Sequence, residues 1–178
     1  MPKILVLVVL LLAASGARAV DGVYAEGGFG NFVAIARVGA VWKWDRSWMY
    51  NDTWQVTGAW EVAAGMMRGI KSGDPQNQAV GDIGITPVFR IAKKDGAGTR
   101  WFYEGGFLGL HLFSRAFVAE GRKFGSAFEF GHFLGVGADY GERHEYSLSY
   151  RLHHMSNAGI VMPNQGVTLS ELHFAYFF

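Results

Sequence analysis

The sequence predicts an all-β protein, an eight-stranded antiparallel transmembrane β-barrel, and three observations support this fold class. Aromatic residues make up 15% of the chain, and glycine is common at 25 residues while proline is rare at 4. Alternating apolar and polar segments recur at a spacing of roughly 10 to 20 residues, separated by Gly, Asp and Asn clusters. After residue 19, no apolar run approaches the roughly 20 residues of a transmembrane helix. These patterns favour strands over helices.

A targeting segment is predicted over residues 1–19. Lys3 precedes an apolar run over residues 4–14, and Ala17-Arg-Ala19 fits an A-x-A cleavage site. The run is short for a membrane span, so a secretory signal peptide is the better interpretation. We therefore expect an exported barrel domain over residues 20–178, which is 159 of the 178 residues.

Charge and cysteine content exclude several classes of function. Loss of Lys3 and Arg18 with the signal changes the formal net charge from +1 to −1, so nothing indicates a nucleic-acid partner. The chain has no cysteine, which excludes a disulfide framework and a thiolate metal site. No close metal-ligand spacing is formed by the histidines His111, His132, His144 and His153. We expect no metal and no cofactor.

Each predicted strand is an alternating segment bounded by turn-forming residues. The predicted strands cover residues 23–29, 32–42, 54–67, 80–92, 101–113, 127–140, 144–156 and 167–178. Residues 70–79 and 114–125 are predicted loops, and residues 93–98 and 141–143 are predicted turns. An even number of strands places both ends of the barrel domain on the same side of the membrane.

The seventh predicted strand separates an apolar face from a polar one. Its even positions from Tyr146 to Leu152 are apolar or aromatic, whereas its odd positions include Glu145, Arg151 and His153. A soluble lipocalin-like barrel would bury the apolar face, and a membrane barrel would turn it towards lipid. In the second case, Glu, Arg and His side chains fill the lumen as a paired network.

Three features favour the membrane barrel, although periodicity alone leaves both alternatives open. The chain carries an export signal, and it ends on an aromatic residue within an alternating strand, similar to the carboxyl-terminal signature of bacterial outer-membrane barrels. Aromatic residues also cluster near strand ends, as an interfacial girdle does. This cluster contains Trp42, Trp44, Trp48, Tyr50 and Trp54.

His154 and Ser156 form a candidate base–nucleophile pair at the end of the seventh strand. Residues i and i+2 of a strand share a face and lie about 7 Å apart at the backbone. Both residues have the lipid-facing parity, and in an outer-membrane barrel this end of the strand lies at the outer leaflet. In the alternative, His154 is an interfacial belt residue and Ser156 begins the loop.

The loop that follows, residues 157–166, favours the catalytic interpretation. It is rich in turn-forming residues that can direct backbone N–H groups and Asn amides towards Ser156. Such donors would form the oxyanion hole that acyl transfer needs. The turn-forming residues are Asn157, Gly159, Pro163, Asn164 and Gly166.

The same segment carries a family resemblance. His154-Met-Ser-Asn-Ala-Gly-Ile160 followed by Pro163-Asn-Gln-Gly166 resembles the signature of the PagL lipid A 3-O-deacylase family. Nearly all of the chain after residue 19 takes part in the resemblance. Further similar segments are Trp42-Lys-Trp-Asp-Arg-Ser-Trp48, Thr57-Gly-Ala-Trp60, Thr86-Pro-Val-Phe89 and Phe102-Tyr-Glu-Gly-Gly106.

The resemblance implies an eight-stranded barrel of the bacterial outer membrane that hydrolyses the 3-position ester of lipid A, the membrane anchor of lipopolysaccharide. It implies Ser156 as the nucleophile, His154 as the general base and Asn164 as an activity-linked residue of the oxyanion hole. Asn157 is a weaker candidate for the same hole. It also implies an active site on the outside of the barrel wall and no cofactor. A homodimer is left open.

One position departs from the family pattern. The family's triad ends in a Glu, and the matching position here is Thr168. Thr168 or a backbone carbonyl orients His154, or a β-bulge brings Glu171 round from the opposite parity, or the activity is weak or absent. We favour a His–Ser pair with an orienter other than a carboxylate. The alternatives are a non-catalytic structural or adhesive barrel and a soluble periplasmic lipid carrier.

Overall fold

Eight strands close into an antiparallel barrel in the computed structural model of the chain, which describes residues 19–49, 51–73, 77–94, 98–119 and 121–178. The predicted targeting segment, apart from Ala19, and Tyr50 of the predicted girdle lie outside the described residues. The strands are β1 (Gly22–Gly30), β2 (Val33–Met49), β3 (Trp54–Gly69), β4 (Ala79–Lys93), β5 (Arg100–Phe113), β6 (Val118–Ala119), β7 (Arg122–Lys123), β8 (Phe128–Tyr140), β9 (Tyr146–Ser156) and β10 (Val167–Phe177).

Strand order confirms the predicted fold class. The barrel runs β1-β10-β9-β8-β5-β4-β3-β2 and closes on itself, so each of these strands has a hydrogen-bonded neighbour on both sides. The short strands β6 and β7 form a separate hairpin inside the segment between β5 and β8, which the sequence predicted as loop only. Among the described residues, no helix has the length and hydropathy for a membrane span.

The second strand is longer than predicted. Its pairing with β3 shifts register between Lys43 and Ser47, then continues to Met49 opposite Gln55. Three residues of β2, 44–46, thus lie opposite the single residue Gly58 of β3, and the irregularity absorbs two extra residues without ending the strand. The prediction that this strand ends at residue 42 was therefore wrong, because the polar residues 45–47 have the composition of a turn. The predicted seventh strand likewise begins later, at Tyr146.

The two ends of the barrel differ in the length of their connections. One end carries the long connections 70–78, 114–127 and 157–166, and the other carries the short turns 51–53, 94–99 and 141–145, in which the structure describes the parts given above. In outer-membrane barrels the long loops are extracellular and the short turns periplasmic. The last residues of β9 and the first residues of β10 therefore lie at the extracellular end.

The lumen contains the predicted network of Glu, Arg and His side chains. Arg151 is fully buried, and both terminal nitrogens of its guanidinium donate to the Glu61 carboxylate at 2.8 and 2.9 Å. Its Nε donates to Glu104 Oε1 at 2.8 Å. Because charge is costly to bury unless it is paired, this arrangement is what makes an ionic lumen stable.

A second arginine organises the extracellular half of the lumen. Arg37 Nε pairs with Glu26 at 2.7 Å, and its terminal nitrogens reach Asp82 and Glu171, each at 3.3 Å. The His153 ring also contacts this group, with Nδ1 at 3.0 Å from Arg37 Nη2. The odd-numbered residues of β9 and β10 thus face inwards, as predicted.

The outer wall is apolar and carries aromatic clusters at its periplasmic end. Trp44 packs against Trp60 and Phe89, with ring centroids 5.6 and 5.1 Å apart. A second cluster, on β8 to β10, contains Tyr140, Tyr146, Phe174 and Tyr176. These positions fit the girdle that membrane barrels place at the lipid–water interface. The even-numbered face of β9 is consequently the lipid-facing one.

Candidate active site on the outer wall

His154 and Ser156 lie on the outward face of β9, at its extracellular end. Both side chains are partly exposed, while the intervening Met155 is fully buried in the lumen. Backbone pairing aligns His154 with His132 of β8 on one side and with Thr168 of β10 on the other. Three polar residues therefore form one row across an otherwise apolar wall.

Thr168 contacts the imidazole directly. His154 Nδ1 lies 2.9 Å from Thr168 Oγ1. The Thr168 backbone N–H donates to Asn31 Oδ1 at 2.8 Å, so the turn between β1 and β2 fixes this part of β10. No hydrogen bond joins His154 to Ser156 within the described structure, and the Cε1–Nε2 edge of the ring lies against Gly166 of the loop.

Glu171 is remote from this row. It is 1% exposed inside the lumen, where it contacts Arg37 and lies 3.2 Å from His153 Nδ1. The pairing of β10 with β9 is continuous from Val167 to Tyr176, so no bulge turns Glu171 outwards. The suggestion that a bulge brings this carboxylate to His154 was therefore wrong.

Asn157 holds the loop together from within. Its side chain is 1% exposed, its Oδ1 accepts from the Gly159 backbone N–H at 3.1 Å, and its Nδ2 donates to the Val161 carbonyl at 2.9 Å. These bonds stabilise a tight turn in which Ala158 and Gly159 both have positive φ. The Asn157 amide is thus committed to the loop itself.

Asn164 is held against the residue that follows Ser156. Its Oδ1 accepts from the Asn157 backbone N–H at 3.2 Å, and its backbone pairs with Phe124 beside the β6–β7 hairpin. Because the Asn157 N–H can only donate, the Asn164 oxygen must face it. The Asn164 NH₂ group then points away from this bond and makes no hydrogen bond within the part of the chain that the structure describes.

Gly166 allows the loop to return close to the imidazole. A Cβ at this position would lie 3.0 Å from His154 Cε1, and its φ of +62° is one that other residues rarely adopt. A larger residue here would displace either the His154 ring or the loop. The glycine therefore lets residues 157–166 and β9 pack as one unit.

His132 is the residue of the row that sequence reasoning missed as part of the site. Its ring centroid lies 5.1 Å from that of His154, with the ring planes at 41°. A signal was present, because His132 has the lipid-facing parity of β8. The other residues of that face are Phe128, Phe130, Leu134, Val136, Ala138 and Tyr140.

The row and Ser156 together contain the side-chain types of a base–nucleophile pair. Within the described ranges, no cluster of three or more His, Cys, Asp or Glu side chains is placed to hold a metal ion. One imidazole nitrogen contacts the Thr168 hydroxyl, and a serine lies two residues away on the same face. Such an arrangement can activate a nucleophile.

Fold and site together define an outer-membrane β-barrel with a polar site on its lipid-facing wall, and comparison with known proteins gives its family. The sequence model of the family described as Lipid A 3-O-deacylase (PagL) matches residues 33–177. This chain belongs to that family. The predicted family resemblance is thereby confirmed.

Two relatives support the assignment. The Lipid A deacylase PagL of Bordetella bronchiseptica is 37% identical over 81 residues, which cover 46% of this chain and 43% of that protein. The aligned part thus spans less than half of that relative. The crystal structure of the outer membrane enzyme PagL matches with a TM-score of 0.75 at 26% identity, covering 88% of this chain and 99% of that one. The protein is accordingly a β-barrel of the outer membrane.

Proposed function

We propose that this protein is a lipid A 3-O-deacylase, a carboxylic ester hydrolase that uses Ser156 as its nucleophile. The observation that carries the proposal is the His154 imidazole, held at Nδ1 by Thr168 on the same lipid-facing wall as Ser156. Family membership indicates the substrate class. The position of the row on the outer wall would make the site accessible to a lipid in the membrane. An acyl ester of a membrane lipid is reached from the wall of a barrel and not from its filled lumen.

The first half of the reaction forms an acyl-enzyme. With its Nδ1–H donating to Thr168 Oγ1, His154 has an unprotonated Nε2 that accepts the Ser156 proton. Ser156 Oγ attacks the ester carbonyl carbon and forms a tetrahedral intermediate. The protonated imidazole then gives its proton to the departing 3-oxygen of the sugar, and the carbon–oxygen bond to that oxygen breaks.

The second half releases the fatty acid. Water gives a proton to His154 and attacks the acyl-enzyme, and the proton returns to Ser156 as the 3-hydroxy fatty acid leaves. The free NH₂ group of Asn164 is our candidate donor to the oxyanion of both intermediates. Asn157 contributes through its backbone and through the turn that it holds, because its side-chain amide is bonded inside the loop.

The substrate's own membrane affinity does much of the binding in this proposal. Lipid A is already in the outer leaflet, so its acyl chains need only slide along the apolar wall. Exposed side chains that would border a chain on β8 to β10 are Leu134, Leu148, Leu152 and Leu172. With the lipid in this position, the row of His132, His154 and Thr168, at the extracellular end of the wall, would meet the sugar esters.

Replacement of Ser156 by Ala tests the function. We expect the wild-type protein, expressed in a host that lacks the activity, to remove one 3-hydroxyacyl group from lipid A in the mass spectrum. Ser156→Ala is expected to lower the rate roughly a thousandfold or more, because it removes the nucleophile. Ser170→Ala is the matched control, since Ser170 is also on the lipid-facing wall but bonds to Tyr150 at 2.9 Å.

Three outcomes would contradict the proposal. A wild-type protein that folds, judged by its heat-dependent migration in detergent gels, yet leaves lipid A unchanged would indicate a non-catalytic barrel. Loss of the same acyl group with Ser156→Ala as fast as with wild type would place the chemistry elsewhere. Retention of the protein in the aqueous fraction without detergent would argue against membrane access.

A further inference from the structure

His132 is a polar side chain in an apolar environment without an assigned role. It is exposed on the lipid-facing wall, between Phe130 and Leu134 of the same face. In the described part of the chain it makes no ion pair, and the contact it does make is ring packing with His154 at 5.1 Å. An imidazole is a poor choice for a wall position unless the site uses it.

Backbone register fixes how the three side chains of the row meet. β9 lies between β8 and β10, and His154 is directly opposite both His132 and Thr168. The His154 ring is therefore contacted from one side by an imidazole and from the other by a hydroxyl. His132 and Thr168 lie on strands that are not neighbours, so each contacts the other only through His154.

Thr168 alone is a weak orienter of the imidazole. A single hydroxyl offers one hydrogen bond and rotates about its own Cβ–Oγ bond, whereas a carboxylate offers two charged acceptor oxygens. The His154 ring can pivot about a single contact at Nδ1. Its Nε2 must nevertheless point at Ser156 for the proton transfer to be efficient.

We propose that His132 is a positioning residue for His154. Its ring packs against the imidazole from the β8 side, limits the pivot about the Thr168 contact, and keeps Nε2 directed towards Ser156. The two contacts together replace the carboxylate that the family pattern has at position 168. This inference rests on the proposed function, because positioning has a measurable consequence only if His154 acts as a base.

The role is carried by the shape and aromatic face of His132 and not by its proton. Ser156 is directly opposite Phe130 in the register, so His132 is one step removed from the nucleophile. His154, in contrast, shares a strand face with Ser156. A packing role predicts that another aromatic ring will serve at position 132, whereas a proton-transfer role predicts that it will not.

The experiment measures kcat and KM for lipid A hydrolysis in mixed micelles. We expect His132→Ala to lower kcat about three- to tenfold with little change in KM, the range expected for loss of one aromatic contact. His132→Phe is expected to stay within about twofold of wild type, because it keeps the ring. Val136→Ala, a truncation farther along the same face of β8 and opposite Tyr150, is the matched control and should leave kcat unchanged.

A double-mutant cycle with position 168 distinguishes positioning through His154 from a structural role. Thr168→Glu gives the imidazole a carboxylate, so His132→Ala in that background should cost less than about twofold in kcat. Equal losses in both backgrounds would overturn the inference, because they would show that position 132 acts independently of the imidazole. A Phe variant as impaired as the Ala variant would also overturn it.

Failure of the inference and failure of the proposed function give different results. If the wild type hydrolyses lipid A and His132→Ala matches it, only the positioning role is wrong. If the folded wild type has no activity, both the proposed function and the positioning role are wrong. Heat-dependent migration in detergent gels checks that each variant forms the barrel, so a folding defect is not read as a loss of positioning.

Discussion

Thr168 contacts the His154 imidazole through its hydroxyl, and the contribution of this hydroxyl can be tested alone. Thr168→Val keeps the shape of the side chain and removes Oγ1. We expect kcat to fall about two- to tenfold, the equivalent of one neutral hydrogen bond of about 0.5–1.5 kcal/mol. Thr168→Ser, which keeps the hydroxyl, should retain more of the activity. Rates of fatty acid release measure both effects.

Glu171 provides the contrast for this prediction. It faces the lumen and contacts Arg37 rather than His154. Glu171→Gln should therefore leave kcat nearly unchanged while lowering the stability of the barrel. A loss of kcat in the folded Glu171→Gln variant larger than that of Thr168→Val would show that the lumen carboxylate, and not the wall hydroxyl, supports the imidazole.

At the scale of elements, the loop 157–166 is a turn held to β9 at one end and to the β6–β7 hairpin at the other. Asn157 forms the inner bonds, Asn164 bridges back to the Asn157 N–H, and Phe124 pairs with Asn164 from the hairpin. Phe124 itself is buried against Phe113 and Phe117. The barrel core is thus connected to the loop that borders Ser156.

Replacement of Asn164 and of Asn157 in this loop should have different effects. Asn164→Ala removes a candidate oxyanion donor, and we expect kcat to fall about a hundredfold with a smaller change in KM. Asn157→Ala removes bonds within the turn, so we expect faster proteolysis of the loop as well as lower activity. Limited proteolysis together with steady-state kinetics distinguishes loss of an oxyanion donor from loosening of the loop. Similar protease sensitivity and similar kinetics for both variants would argue against distinct roles.

The sequence was sufficient for strand parity and for the position of His154 and Ser156, because a period of two residues assigns each side chain to a face. It failed where backbone irregularity or cross-strand neighbours decide the outcome. The bulge between Lys43 and Ser47 lengthens β2, and no local composition reveals it. His132 joins the row only through the register of β8 with β9, which one strand's sequence does not contain.

At the scale of the whole molecule, the middle of the lumen is filled by paired charges, and apolar clusters fill it towards its two ends. Arg151 pairs with carboxylates from β3 and β5, so its strand is connected through the lumen to the opposite wall. The outer wall is in turn left to lipid. The molecule therefore combines ion pairs and apolar packing in its interior with an outer wall that the membrane covers.

Loss of Arg151 should consequently destabilise the entire barrel. Arg151→Met leaves Glu61 and Glu104 buried without their main partner, and we expect a loss of about 3–5 kcal/mol in the free energy of unfolding. Urea unfolding in detergent, followed by tryptophan fluorescence, measures it. Arg100→Met is the control with a smaller expected loss, because its partner Asp139 keeps a second contact with Arg90. Equal losses of unfolding free energy in the two variants would contradict a dominant role for the pairing of Arg151 with Glu61 and Glu104.

Because His154 and Ser156 face outwards, the protein would meet its substrate within the two-dimensional membrane leaflet and not in three-dimensional solution. A lipid reaches this wall by lateral diffusion within one leaflet, so the relevant concentration is a mole fraction of the surface and not a bulk molarity. Diluting the substrate with inert lipid at constant total amount should slow turnover, while diluting the whole suspension should not. Product lipid likewise stays in the same plane, where it competes for the wall until it diffuses away.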